Sequence, residues 1–197
     1  NEVLLTVGNT QAQTNEGLQV SVYAPGATHI GVAQDGNRLD LDGEGNYAWD
    51  STPSDRWEGD WIAFNEAGTH TLTAYAQFEN SDEWVASAPV KVTITAPNGR
   101  LTMDLTDVPE SLTAGQEGVT LSVPYPDNAT YMGYEVSIDD AQIDRSDNTE
   151  GAAASIELPA EKLTEGAVVY ASFWAGGVGY EHTHCSVQIP VVTTSSE

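Results

Sequence analysis

Cysteine is almost missing. Cys185 is the single one among 197 residues, so no internal disulfide can form. It sits in the alternating stretch HTHCSVQI, which fits a small packed side chain better than a nucleophile. Bases are nearly as scarce: six Lys and Arg stand against 30 Asp and Glu, a net charge of −24. Divided at Pro97, the chain holds 14 acids and 3 bases before, then 16 acids and 3 bases after, giving −11 and −13. Both halves are acidic, so this is no local tail. Such a field repels phosphate backbones and anionic lipid, which excludes nucleic acid and acidic membrane as natural partners and favours a soluble monomer. A solvated surface suited to secretion or high salt explains it without any site.

Long apolar runs are lacking too. The longest run without Asp, Glu, Lys, Arg or His, GAVVYASFWAGGVGY, has 15 residues and is broken by glycines. A spanning helix needs about 20, so membrane insertion by helix is excluded. Catalytic signatures are also absent: there is no G-x-S-x-G, no H-E-x-x-H and no phosphate loop, and the chain reads as non-enzymatic.

Short alternating segments fill the space. Leu18, Val20 and Val22 point one way in GLQVSVY, as do Val119, Leu121 and Val123 in GVTLSVP. Period two with β-branched residues between turn signals means half-buried strands. HIGVAQ, DWIAF, THTLTAYAQF and PVKVTIT follow in the first half; YMGYEVSI, ASIELP, AVVYASFW and CSVQIPVV follow in the second. About seven short strands per hundred residues is the pattern of a two-sheet sandwich.

The second half also rewrites the first. GLQVSVYAPGATHIG at 17–31 matches GVTLSVPYPDNATYMG at 118–133, and EAGTHTLTAYA at 66–76 parallels TEGAVVYASFW at 164–174. Between them lies APNG, Ala96 to Gly99, a short joint. The expected organisation is all-β, with two tandem Greek-key sandwiches at 1–96 and 97–197 and a linker opening in TTSSE at 193–197. The first residue is not Met, and the chain reads as a piece of a longer protein.

The order GLQVSV, AGTHTLTAYA, ASAPVKVTIT resembles tandem bacterial immunoglobulin-like modules of secreted and cell-surface proteins. His70 stands where such modules often carry Tyr, and Ala167–Val168 occupies that place in the second half. The resemblance implies an extracellular or cell-surface setting and a role in spacing, adhesion or ligand display. It also implies partners among other domains of the parent protein, a glycan or a host or cell-surface protein, and no catalysis. Strand addition to a sheet edge is a weaker reading, because Pro89 and Pro190 blunt the closing strands.

Three stretches carry candidate sites. In DLDGEGNYAWD, the oxygens of Asp40, Asp42, Glu44 and Asn46 fall at alternate positions, as in a calcium loop. Position twelve is Ser51 and not an acid, and the same residues suit a glycine-rich β-turn. In WDSTPSDRWEGDW, Trp49 and Trp57 sit among Asp55, Glu58 and Asp60. A sugar stacks its C–H face on an indole while carboxylates accept its hydroxyl hydrogen bonds, so this loop, Trp49 to Trp61, is a candidate carbohydrate platform, and the alternative function is a carbohydrate-binding accessory module of a secreted hydrolase. Trp61, opening WIAF, is assigned to the core and Trp57 to the surface. Finally, His182 and His184 are two apart and share a strand face, with Cys185 on the other, so the two histidines read as an outward polar pair.

Overall fold

The computed structural model describes residues 1–41 and 54–193. It is all-β, with no α-helix among the described residues, and it divides into two compact units, Asn1–Pro97 and Asn98–Glu197. The boundary falls inside APNG, one residue past the division expected from sequence.

In the first unit, β1 (Leu4–Val7), β3 (Leu18–Tyr23) and β6 (Arg56–Ile62) form one antiparallel sheet in the order β1-β3-β6. The facing sheet contains β2 (Gln11–Gln13), β4 (Ala27–Gln34), β5 (Asn37–Arg38), β7 (Gly68–Phe78) and β9 (Val90–Thr95), ordered β2-β9-β7-β4-β5, with β8 (Trp84–Ala86) beside β7. The chain crosses between sheets at β1–β2, β2–β3, β3–β4, β5–β6 and β6–β7, and β2 runs parallel to the closing strand β9. This is the immunoglobulin-like Greek-key sandwich. Leu18, Val20, Val22, Ile30, Val32, Leu72 and Val92 meet between the sheets, each at most 2% exposed. That is what alternation demands of strands with one buried face.

The closing strand is interrupted at Ser87–Pro89, where proline cannot donate to the ladder. The buried Ser87 takes over: its backbone N–H donates to Ala74 O, and its hydroxyl accepts from Ala74 N at 3.0 Å. His70, in place of the usual tyrosine, stacks on Phe64 at 4.4 Å. Its ring nitrogens face the Asp35 carboxylate at 2.6 Å and the Glu66 carbonyl at 2.9 Å.

The second unit repeats the plan. β11 (Thr120–Val123) pairs with β14 (Ala154–Glu157), and the other sheet contains β10 (Leu112–Thr113), β12 (Tyr131–Ile138), β13 (Ala141–Ser146), β15 (Val168–Gly177) and β16 (Tyr180–Val192). Its order is β10-β16-β15-β12-β13, again with a parallel pairing of first and last members. A separate core closes around Leu121, Met132, Ile156, Leu163, Phe173 and Ile189.

The turn entering each repeat is also shared. Glu16 Oε2 accepts from Gln13 N in one unit, and Gln116 Oε1 accepts from Thr113 N in the other. The first hairpin turn has Asp35 and Gly36 at φ 49° and 82°; its counterpart has Asp139 and Asp140 at 46° and 68°. The leading aspartate clamps the neighbouring strand in both: Thr71 N donates to Asp35 Oδ1, and Val168 N to Asp139 Oδ1.

Candidate functional site

The loop between β5 and β6 supplied most of the sequence candidates. Asp42, Glu44, Asn46 and Trp49 lie outside the described residues, as do 194–197 of the expected linker. Asp40 is half-buried just beyond β5.

The two tryptophans of β6 exchange the places expected of them. Trp57 is half-buried and packs against the core, while Trp61 is 48% exposed. The cause is a bulge. Trp57 lies opposite Val22 and Gly59 opposite Val20, so both belong to the inward row. Unbroken alternation would put Trp61 opposite the buried Leu18. The register shifts between Leu18 and Val20, Ile62 takes that place, and Trp61 turns out. Its ring then meets Trp57 edge-on at 6.1 Å. Gly59 has no side chain because Trp57 lies there: a Cβ would stand 2.5 Å from the indole. Asp55, Glu58 and Asp60 are exposed. Glu58 pairs with Ser21 on the outward row, so Trp57 and Glu58 face opposite sides of the sheet.

The second unit holds a more furnished surface on the outward face of its five-stranded sheet. Across β12 and β15, Gly133 pairs with Trp174, Glu135 with Ser172 and Ser137 with Tyr170. Across β15 and β16, Trp174 pairs with His184 and Ser172 with Ser186. Glu135 pairs in turn with Arg145 on β13. All of these but Gly133 and Ser186 line an open hollow of about 430 Å³, which His182 also borders.

Each member is fixed. Trp174 lies flat over Gly133, where a Cβ would approach its ring to 2.4 Å. Arg145 donates to Glu135 at 2.6 Å and to Asp147 at 2.9 and 3.1 Å, with its guanidinium carbon 5.8 Å from the Trp174 ring centre. Tyr131 stacks on His182, and its hydroxyl meets His182 Nδ1 at 2.7 Å. Strand β13 is held from below by Tyr134, whose hydroxyl donates to Asp144. Burial, then Asp144, raise that phenol above its ordinary range. His184 shares the hollow with His182, as their spacing implied, and Cys185 packs on the core side, where burial pushes its thiol up. Among the described residues, no group of three or more His, Cys, Asp or Glu is arranged to hold a metal.

The sequence shows AVVYASFW as a strand, but the site escapes sequence reasoning because its members come from four strands. The signal was that strand's alternation: Val169, Ala171, Phe173 and Ala175 are buried, leaving Tyr170, Ser172 and Trp174 on the other face.

No family model matches the chain, and no curated protein matches it. Among solved structures, the fibronectin(III)-like modules of Clostridium thermocellum CbhA align over 98% of this chain and 97% of their own, at 13% identity and TM-score 0.34. Titin Ig tandem domains align over 98% of both chains, at 13% identity and TM-score 0.28. The apo structure of Bacteroides uniformis beta-glucuronidase 3 is covered over 25% of its chain by 95% of this one, at 14% identity and TM-score 0.29. Likenesses this loose carry no argument about the chain, and its fold rests on the strand order and cores described above. No helix among the described residues is long and apolar enough to cross a membrane.

Proposed function

We propose that the chain is a non-catalytic pair of immunoglobulin-like modules acting as a spacer or adhesive stalk in a secreted or surface-anchored protein. One observation carries this: two units, each with its own core, meet in sequence at a single peptide bond between Pro97 and Asn98. Two closed sandwiches in series resist extension through their strand ladders, while the net charge of −24 keeps neighbouring copies apart. The partners would be other domains of the same protein, together with a glycan or a host or cell-surface protein.

Pulling single molecules from both termini tests this. Two unfolding events are expected, each releasing about 350 Å of contour for roughly 100 residues. A single cooperative event, or gradual extension at low force, would overturn the stalk.

Carbohydrate capture on the outward face of β6 is a second reading. One feature favours it: Trp61 is 48% exposed next to the exposed Asp60. It requires Trp61→Ala to abolish binding.

A further inference from the structure

We propose that the outward face of the second unit's five-stranded sheet binds a neutral sugar chain, seated over Ser172 between Trp174 and Tyr170. This goes beyond the stalk reading and does not depend on it.

The shape comes first. Tyr170, Ser172 and Trp174 are alternate residues of one strand and so stand on one face. The two aromatics are four residues apart, roughly 13 Å along an extended strand, with a small hydroxyl between them. The result is a floor with two aromatic walls, enclosing about 430 Å³ with Glu135, Arg145 and His184 at the sides. A pyranose offers apolar C–H faces to aromatic rings and a belt of hydroxyls to polar neighbours, and this hollow supplies both. Tyr170 is 39% exposed, so its ring is available as a wall.

Charge selects among sugars. Among the described residues, Arg145 is the one arginine or lysine lining the hollow, and its fork is already filled by Glu135 and Asp147. A uronate or sulfate would meet carboxylates with no unpaired guanidinium to receive it. A neutral ring needs only donors and acceptors, which Ser172, Glu135 and the histidines provide.

The first unit is an internal control. It has the same scaffold, with Gly31 opposite Tyr75 as Gly133 is opposite Trp174. Yet the outward positions beyond that pair are Thr71 and Thr73, where the second unit has Tyr170 and Ser172. Ala33 lies across from Thr73 and Ala86 across from Tyr75, where the second unit places Glu135 and His184. The sandwich therefore folds without an aromatic at Tyr170's place, an acid at Glu135's or a histidine at His184's; its second outward ring, Trp84, stands elsewhere, opposite Gln77. Their presence in one copy alone points to a ligand.

Calorimetric titration of the full chain with cellohexaose, xylohexaose and mannohexaose, and with polygalacturonate as the anionic comparison, tests the site. Saturable binding of at least one neutral oligosaccharide is expected, with none to polygalacturonate. Ser172→Phe should fill the hollow and abolish binding. Tyr170→Ala, a milder change should the first variant fail to fold, should weaken it about tenfold. Thr73→Ala, at the place in the first unit equivalent to Ser172, should leave it unchanged. Flat titrations with all three neutral sugars would overturn the site, as would tighter binding of polygalacturonate or full affinity in folded Ser172→Phe. Binding lost in Trp61→Ala instead would move the function to the first unit and equally remove it from this face.

Discussion

At Gly133 the absence of a side chain makes room for a neighbour. Trp174 covers the backbone there, and a methyl group would stand inside its ring. Side chains elsewhere repair backbone that strands leave unpaired. Ser87 is the clearest case, because its hydroxyl is the acceptor for Ala74 N in a buried setting. Ser87→Ala removes that acceptor and strands a buried N–H, so the first unit should lose about 1–3 kcal/mol, read from the urea midpoint. Ser87→Thr, which keeps the hydroxyl, should recover part of it. Cys185 gives a second test. Burial raises its thiol, so at a given pH the folded protein carries less thiolate than a free cysteine does. Its reaction with a disulfide reagent at pH 8 should be slower than that of free cysteine and should accelerate on unfolding. Equal rates in native and denatured protein would contradict the packing of Cys185 against the core.

Among elements, the ribbon of β12 and β13 separates the two copies. β13 has six residues where β5 has two, and between the shared glycine and the turn aspartate β12 is longer than β4 by two. The pair Glu135–Arg145 has its counterpart in Ala33 opposite Arg38, so the extension lengthens the ribbon beyond that pair. The turn closing this ribbon holds Asp140 at φ 68°, whereas the equivalent turn uses Gly36. The left-handed region is costly for a residue with a Cβ, so Asp140→Gly should raise the second unit's stability by about 1 kcal/mol, measured by thermal denaturation. The loop after β5 can be examined the same way. If Asp40, Asp42, Glu44 and Asn46 bind calcium, the melting temperature in excess calcium will exceed that in chelator; equal temperatures would dismiss the site.

For the whole molecule, acidity dominates. With 30 acids and six bases, the compact state repels itself, and screening should relieve this. The melting temperature should rise between 10 mM and 500 mM sodium chloride; a fall would show that ion pairs such as those of Arg145 outweigh the repulsion. The charge is spread over both units, and neither the fold nor any site could be read from it.

Periodicity in the sequence was sufficient for the class of fold and for the inward rows of strands such as β3, β7 and β15, because burial of one face is a local property of an alternating segment. Repetition was sufficient for the two modules. Tertiary structure alone decided what depends on register between strands distant in sequence. A bulge opposite Leu18 and Val20 exchanged Trp61 for Ile62 in the core, because one inserted residue reverses every face beyond it. Likewise, Trp174, Glu135, Arg145 and His184 come from four strands, and only their pairing gathers them around Ser172. Alternation says which residues face out; it cannot say which outward residues become neighbours.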